Sequence, residues 1–332
     1  MKVAVLGSGG WGTALALVLV ENGHQVSLWC RRPEKCQEMV QSRENPQLKG
    51  VSLLEGLALT DDLSCVNGCQ AVILASPSFA VRSTAAQVAP LLNPGTVLVC
   101  VSKGIEKDSS LTLDAVIEQE APGYPVVALS GPSHAEEVGR HVPTAVVVAS
   151  KDQKAAELVQ DLFMNPCFRV YTTDDVVGVE LGGALKNVIA LCTGVSDGLG
   201  LGDNTKAMLM TRGLTEIARL GEALGGRKET FAGLAGIGDL IVTCTSMHSR
   251  NRRCGMAIGQ GTPVAEAVQG NGMVVEGYYA AATAKALADK AGVEMPITQA
   301  AYAVLYEGKD PKSVVTELMT RDRKSENEES WV

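Results

Sequence analysis

Residues 2–32 read KVAVLGSGGWGTALALVLVENGHQVSLWCRR and contain two short apolar runs on either side of a glycine-rich turn. The run at 2–6 has the valine and leucine content of a buried strand, and an apolar segment of helix length follows the glycines. Asn22 and Gly23 then end the helix before a second strand at 25–30. This order of strand, turn, helix and strand predicts the start of a doubly wound α/β sheet.

The same alternation continues through the first half of the chain. Further strand-like runs lie at 71–75, 97–101, 126–129 and 144–149, and a last one at 168–172. Short apolar strands separated by helix-length segments predict a parallel sheet with helices on both faces.

The pattern changes after residue 174, where long segments rich in alanine, leucine and glycine replace the strands. They lie at 176–192, 206–224 and 280–291. We therefore expect a Rossmann-type domain over 1–175, an all-helical domain over 176–320, and a polar, disordered tail over 321–332.

Composition excludes several classes of protein. With a net charge of −8, broad nucleic-acid binding is not expected, and apolar runs such as 14–20 are too short to span a membrane. Nine cysteines without a C-x-x-C pair, and only four histidines, argue against a zinc site and favour buried reduced thiols. We expect a cytoplasmic protein with no metal.

The glycines of the opening turn fit the G-x-G-x-x-G pattern of dinucleotide-binding sites. Gly7 allows the tight turn, Gly9 lets a pyrophosphate approach the backbone, and Gly12 permits close packing of helix on strand. The amino terminus of the following helix then faces the phosphates. Purely structural glycines are the competing interpretation.

The second strand ends on Arg31 and Arg32, where an NAD-selective site carries an acid for the ribose 2′-hydroxyl. Guanidinium groups instead bind a 2′-phosphate through charge-assisted hydrogen bonds. The pair predicts that NADPH is preferred and that NADH remains possible, unless it is simply a solvated pair of arginines.

Two stretches after predicted strands carry polar groups to the carboxyl edge of the sheet, where ligands bind in this architecture. Lys103 follows the strand at 97–101. Gly131, Ser133 and Ala135 follow the strand at 126–129, and their backbone amides are able to face a ligand. A surface lysine and an ordinary helix cap are the alternatives.

An unusual lysine lies in the apolar helical segment 180–194. Gly183 shares a helix face with Lys186 and leaves room for a flat ring beside the amine. Burial would lower the pKa of this lysine and make it usable as a general acid or base, although a lysine at the edge of a packed helix is the alternative. Asp239, embedded among glycines and apolar residues, needs a buried partner, and Lys186 is the candidate.

The stretch SRNRR at 249–253 concentrates positive charge in an acidic protein. Arg250, Arg252 and Arg253 surround Asn251 next to Ser249, a set suited to a phosphate monoester dianion. A solvated basic loop is the competing interpretation.

With these residues in place, the chain resembles the NAD(P)-dependent glycerol-3-phosphate dehydrogenases of the biosynthetic type over nearly its whole length. The segments that carry the resemblance occur in the family's order: GSGGWGTALA (7–16), SKGIE (102–106), SGPSHAEEV (130–138), LKNVIAL (185–191), NTKAMLMTRG (204–213), GIGDLIVTCTS (236–246), SRNRR (249–253) and VVEG (274–277).

The resemblance implies reversible reduction of dihydroxyacetone phosphate by NAD(P)H to sn-glycerol 3-phosphate for phospholipid synthesis. It implies Lys186 as the proton donor and acceptor and Asp239 as its companion acid. It implies further substrate contacts at Lys103, Gly131, Ser133, Ser249, Arg250 and Asn251. It implies cofactor contacts at Gly10, Trp11, Arg31, Arg32, Ala135, Val274 and Glu276. Lys103 and Arg250 are implied to contact the cofactor as well as the substrate.

One residue departs from the family pattern, because many members have serine where this chain has Gly10. Two other functions stay open: a β-hydroxyacid dehydrogenase acting on a carboxylate substrate, since arginines also bind carboxylates, and a non-catalytic sensor of NADP(H). The apolar helices of the second half are consistent with a homodimer.

Overall fold

The computed structural model describes residues 1–270 and 274–326. An eight-stranded sheet forms the first half of the chain, in the order β3-β2-β1-β4-β5-β6-β7-β8. Its strands are β1 (Lys2–Leu6), β2 (Gln25–Trp29), β3 (Leu57–Thr60), β4 (Ala71–Leu74), β5 (Val97–Cys100), β6 (Val126–Ser130), β7 (Thr144–Ala149) and β8 (Phe168–Thr173).

Helices cover both faces of this sheet, as the alternating pattern predicts. Within β1, Val3 and Val5 point into one core and Ala4 and Leu6 into the other, because successive side chains of a strand face opposite ways. The covering helices are α1 (Gly10–Glu21), α2 (Pro33–Ser42), α3 (Val81–Val88), α4 (Leu113–Glu120), α5 (Ala135–Val138) and α6 (Gln153–Phe163).

Two features differ from the predicted sheet: one additional parallel strand, β3, and one antiparallel pairing, between β6 and β7. Strand β3 was missed because it is a four-residue edge strand with only Leu57 buried, so its apolar signal is weak. Strand β7 pairs antiparallel with β6. A parallel crossover needs a long connection, whereas the segment 131–143 holds only the four-residue helix α5.

The second half of the described chain is helical, which confirms the predicted fold class. Its α-helices are α7 (Val176–Gly198), α8 (Asp203–Ala223), α9 (Lys228–Phe231), α10 (Asp239–Thr245), α11 (Arg250–Gly259), α12 (Val264–Gln269), α13 (Glu276–Ala291), α14 (Pro296–Tyr306) and α15 (Pro311–Met319). A short π-helical turn, Leu234–Gly238, leads into α10. The end of the polar tail, 327–332, lies outside the described residues.

Helix α7 is the central element of the helical half, and it contacts α8, α10, α11 and α13. By length and composition it is apolar enough to span a membrane, but 89% of its apolar window is buried inside the protein, as in a core helix. Gly194 and Gly198 let the backbone of α11 approach so closely that a Cβ atom at either position would overlap it. This packing fixes α11 beside the α7 residues Lys186 and Asn187.

Candidate active site

The glycine turn between β1 and α1 has the shape that a dinucleotide phosphate needs. Gly7 has a φ of +130°, and a Cβ atom there would lie 2.6 Å from the carbonyl oxygen of Ala75. A side chain on Gly12 would overlap the carbonyl of Gly7. A Cβ atom on Gly9 would instead meet no atom nearer than Gln47 Oε1, at 4.0 Å. No acid lies in the first turn of α1 and no side chain caps it, so its amides remain available to an anion.

The end of β2 lies beside this turn, because the amide of Gly7 donates to the carbonyl of Trp29 at 3.2 Å. Arg31 and Arg32 follow directly, and both are exposed. Neither side chain forms a hydrogen bond or an ion pair within residues 1–270 and 274–326. Two unneutralised guanidinium groups next to the glycine turn fit a cofactor that carries a 2′-phosphate.

Three residues that the sequence did not single out support the turn. The Asn45 amide is buried and donates to the carbonyl of Ser8 at 3.1 Å and to Thr13 Oγ1 at 2.6 Å. Lys35 also donates to Ser8, and to Gln47 Oε1 at 3.0 Å. A polar residue carries no local signal of such contacts, because its partners lie 12 to 37 positions away in the sequence.

This supporting loop explains the glycine at position 10. A Cβ atom on Gly10 would lie 2.7 Å from the carbonyl oxygen of Gln47, closer than side chains pack. The same atom would lie 3.6 Å from the Cβ of Ala135, so Ala135 borders the turn. Trp11 turns away from the loop and donates its indole N–H to the carbonyl of Val101 at 3.2 Å.

Lys186 and Asp239 form a buried pair. Lys186 is 5% exposed and Asp239 1% exposed, and the ammonium donates directly to Asp239 Oδ1 and to Thr243 Oγ1 at 2.8 Å. Thr243, one turn along α10 from Asp239, donates in turn to the carbonyl of residue 239 at 2.6 Å. The ammonium is therefore held in one orientation by two acceptors on the same helix.

Lys103 occupies the other oxygen of the same carboxylate. Its ammonium lies 2.7 Å from Asp239 Oδ2 and 2.9 Å from the carbonyl of Gly131, which also accepts from Ser133 Oγ at 2.9 Å. The aliphatic part of Lys103 passes Gly183, where a Cβ atom would lie 3.5 Å from it and 2.6 Å from Ser130 Oγ. The tertiary structure thus brings four predicted site residues, Lys103, Gly131, Ser133 and Asp239, into one cluster with Lys186.

The electrostatics of this cluster suit proton transfer. Burial lowers the pKa of Lys186 to about 7, with the charge of Lys103 acting in the same direction and Asp239 opposing it. Burial also acts to raise the pKa of Asp239, but the two neighbouring ammonium groups outweigh it and hold that pKa below its ordinary value. The arrangement keeps Asp239 ionised while Lys186 exchanges its proton near neutral pH.

The three arginines of the SRNRR stretch have different surroundings. Arg252 forms an ion pair with Asp197 at 2.7 Å, and Arg253 donates to the carbonyls of Met247 at 2.7 Å and His248 at 3.2 Å. The guanidinium of Arg250 is half-buried and makes no hydrogen bond or ion pair with the described part of the chain. Of the three arginines in the predicted set, Arg250 is the one whose guanidinium has no partner among the described residues.

The side chains of Ser249 and Asn251 form hydrogen bonds with neighbouring parts of the protein. Ser249 Oγ accepts from the amide of Arg252 at 3.2 Å and so caps α11. The Asn251 side chain donates to Asn187 Oδ1 and accepts from the amide of Gly277, each at 2.8 Å. This bond between Asn187 and Asn251 ties the first turn of α11, which Arg250 begins, to the residue that follows Lys186 on α7.

Glu276, at the start of α13, reaches across to the sheet domain. Its carboxylate accepts from Ser78 Oγ at 2.7 Å, and Ser78 lies in the 3-10 turn before α3. Burial raises the pKa of Glu276, while the bonds from Ser78 and the charge of Arg250 oppose this rise. Val274 is half-buried two residues before Glu276.

His134 is a residue of this region that sequence reasoning passed over, although it lies beside Ser133. Its Nε2 atom is buried and has no partner among the described residues, and its ring lies 5.5 Å from that of His248. Burial lowers the pKa of His134, and the charge of Lys186 adds to the effect. A neutral imidazole therefore borders the cluster.

Comparisons with known proteins agree with this arrangement. Residues 2–156 match the model of the NAD-dependent glycerol-3-phosphate dehydrogenase N-terminus, and residues 175–316 match that of its C-terminus. The chain is 52% identical to the glycerol-3-phosphate dehydrogenase of Desulfitobacterium hafniense over 99% of this chain and 94% of that protein. It is 55% identical to the enzyme of Moorella thermoacetica over 98% of each.

A solved structure gives the same result for the fold. The glycerol-3-phosphate dehydrogenase of Coxiella burnetii superimposes with a TM-score of 0.92 at 41% identity, covering 96% of this chain and 98% of that one. The chain therefore belongs to the NAD-dependent glycerol-3-phosphate dehydrogenase family.

Proposed function

We propose that this enzyme reduces dihydroxyacetone phosphate reversibly to sn-glycerol 3-phosphate with NADPH as the preferred cofactor and NADH as a possible one. The product would supply glycerophospholipid synthesis. The observation that carries the proposal is the buried Lys186–Asp239 pair, together with an Arg250 guanidinium that has no hydrogen-bond or ion-pair partner among the described residues. A proton donor next to an anion-binding group is the combination that reduction of a phosphorylated ketone requires.

The cofactor contacts are proposed from the fit of the glycine turn. The α1 amides at Gly10, Trp11 and Gly12, together with open space at Gly9, would hold the pyrophosphate, and Arg31 and Arg32 the 2′-phosphate. Ala135, Val274 and Glu276 would complete this side of the site, with Lys103 and Arg250 between cofactor and substrate. When bound, the reduced nicotinamide supplies the hydride.

Lys186 is proposed as the group that moves the proton. In reduction its ammonium donates to the oxygen that becomes the alcohol, and in oxidation the neutral amine takes the proton back. Asp239 and Thr243 fix the direction of the remaining N–H bonds. Lys103, held between Asp239 and Gly131, adds a second positive charge that stabilises negative charge on the same oxygen.

Arg250 is proposed as the principal anchor of the substrate phosphate. Its guanidinium is free to form a bidentate contact with phosphate oxygens. Ser249 and Asn251 hold the start of α11 in place, and one Asn251 N–H remains for the ligand. Binding the phosphate away from the reacting carbon orients the ketone against Lys186.

The test is oxidation of NADPH, and then of NADH, by the purified protein with dihydroxyacetone phosphate, followed by absorbance. We expect oxidation that depends on this ketone and is faster with NADPH at low cofactor concentration. A β-hydroxyacid with NADP⁺ is the control for the carboxylate alternative. Cofactor binding without turnover on either substrate would favour the sensor and contradict the proposal.

Two further properties are proposed with their tests. A cytoplasmic location is supported by nine cysteines that are all free thiols, and fractionation of the native cell would test it. A homodimer is supported by an apolar groove bounded by α7, α8, α14 and α15, with Met208 and Met319 exposed among its lining residues. Light scattering across protein concentrations would detect a monomer if this is wrong.

A further inference from the structure

We propose that Lys35 is a third cation of the 2′-phosphate site and determines cofactor specificity together with Arg31 and Arg32. The inference rests on the preference for NADPH proposed above. It assigns a function to a lysine that no sequence motif identifies.

The position of Lys35 is set by the first turn of α2, which begins immediately after the two arginines. Its side chain turns back toward the glycine turn, where Nζ donates to the carbonyl of Ser8 and, at 3.0 Å, to Gln47 Oε1. Gly7 bonds to Trp29 at the end of β2, so the ammonium lies at the glycine turn close to the strand end that carries the arginines, and the charge of Arg32 acts on it. The adenosine ribose of a bound dinucleotide occupies this interval in a Rossmann-type site.

The bonding of the ammonium leaves capacity for a ligand. Both of its acceptors are uncharged, and an ammonium has three N–H donors, so one remains. The carboxylates nearest in sequence, Glu34 and Glu38, form no ion pair with Lys35 in the described ranges.

The surrounding charge points to a dianion. Burial and the charge of Arg32 both lower the pKa of Lys35, with Glu38 opposing them. Arg31 and Arg32 also lack an acid partner in the part of the chain that the structure describes. Three cations that form no ion pair with a carboxylate among the described residues repel one another, and a phosphate monoester would remove that repulsion.

A purely structural role for Lys35 makes a different prediction. In that case the lysine would only tie Gln47 and its loop to the glycine turn. Asn45 makes the same connection independently, through its bonds to Ser8 and Thr13. Removal of Lys35 should therefore leave the turn in place and expose any contribution of the charge to ligand binding.

The experiment compares two nucleotides that differ in the 2′-phosphate, and it needs no substrate turnover. Calorimetry would measure the Kd of 2′,5′-ADP and of 5′-ADP for the wild type, Lys35→Met and Lys35→Arg. Lys35→Met keeps the aliphatic stem against the loop and removes the charge. Lys49→Met, an exposed lysine near the same loop, is the matched control.

We expect Lys35→Met to raise the Kd of 2′,5′-ADP about tenfold and that of 5′-ADP less than about twofold, with recovery in Lys35→Arg. The KM for NADPH should rise in the same proportion and the KM for NADH should not. An equal rise in the Kd of both nucleotides would assign the lysine to the pyrophosphate. No change in either Kd would mean that Lys35 only links Gln47 to the glycine turn. Each of these results overturns the proposal.

Folding and function are checked separately. If Lys35→Met has a lowered melting temperature, Lys35→Gln is measured in its place. Because binding of nucleotide fragments does not depend on the ketone, failure of the reductase assay and failure of this inference are distinguishable. A protein that turns over dihydroxyacetone phosphate but whose Lys35 variants bind both nucleotides normally keeps the proposed function and loses this assignment.

Discussion

Lys186 and Asp239 are in direct contact in the core of the protein although 53 positions separate them in the sequence. The lysine is on α7 and the aspartate begins α10, and both side chains are almost fully excluded from water. Burying two charges is costly unless they are paired and hydrogen-bonded. Here Thr243 and Lys103 complete the bonding, so the cost is offset by a fully connected network.

Removing the amine of Lys186 should abolish most turnover while leaving the cofactor site intact. In Lys186→Met we expect kcat to fall about 10²- to 10⁴-fold, because the general acid is lost. Asp239 keeps Lys103 as its partner, so the fold should persist. Steady-state kinetics and a direct NADPH binding measurement check this, with Lys290→Met on the surface as control. A variant with near-normal kcat would contradict the assignment.

The pH dependence of the reaction should report the lowered pKa of Lys186, which is about 7. Ketone reduction needs the protonated amine, so kcat/KM in that direction should fall as pH rises through about 7. Alcohol oxidation needs the neutral amine and should rise through the same range.

Asp239→Asn tests the cause of that pKa. The aspartate opposes the lowering, so its removal leaves burial and the charge of Lys103 acting unopposed. The pH profiles of the residual ketone reduction and alcohol oxidation should then both move to lower pH. A shift to higher pH would be incompatible with this account.

Arg250 should control substrate affinity. Loss of a charge-assisted contact costs about 1.5–3 kcal/mol, so Arg250→Met should raise the KM for dihydroxyacetone phosphate about 10- to 100-fold. The melting temperature should change little, since this guanidinium has no partner within the described residues. Arg253→Met, which loses only bonds to two backbone carbonyls, serves as control. An unchanged KM in Arg250→Met would remove this residue from the phosphate site.

Neighbouring glycines of the turn should respond differently to an added methyl group. Gly10→Ala places a Cβ atom 2.7 Å from the Gln47 carbonyl, and we expect a loss of about 1–3 kcal/mol in the free energy of unfolding. Gly9→Ala meets nothing nearer than 4.0 Å and should keep its stability but bind NADPH weakly. Urea titrations and calorimetry on both variants check this. Equal free energies of unfolding for Gly10→Ala and Gly9→Ala would show that the backbone at Gln47 moves aside at no measurable cost.

Glu216 should make stability depend on pH. It is buried, accepts from the amide of Ile297 at 2.7 Å and that of Thr298 at 3.2 Å, and burial raises its pKa to about 7. The folded state therefore binds more protons than the unfolded state between the unfolded pKa and about 7, so stability falls as pH rises through that window. The loss is up to about 3 kcal/mol.

In Glu216→Gln the part of the decline that Glu216 contributes should disappear, because no proton is exchanged at that site. Urea unfolding at pH 5 and pH 7.5 would measure it, with the exposed Glu222→Gln as control. A decline of the same size in the variant and the wild type would assign it to other groups.

Much of the fold was predictable because it depends on local patterns. Strand length, helix periodicity and the glycine turn are properties of a few consecutive residues, and they predicted the sheet domain and the helical domain correctly. The boundary at residue 175 remains a prediction, next to the start of α7 at Val176. The edge strand β3 and the reversed strand β7 were missed, because a short edge strand and the direction of pairing leave little trace in one segment.

The sequence by itself predicted the pairing of Lys186 with Asp239, which the structure contains. Lys186 and Asp239 were recognised because a charge in an apolar segment requires a partner. The tertiary structure decided which groups are free: in SRNRR it committed Arg252 to Asp197 and Arg253 to two carbonyls, and left Arg250 without a partner among the described residues.

Only the tertiary structure brought Asn45, Lys35 and Gln47 onto the glycine turn and made position 10 too small for a side chain. The physical reason is one of range. Backbone propensity and burial patterns act over one helix or one strand, whereas hydrogen bonds and charge pairs act between segments that become neighbours only when the chain has folded.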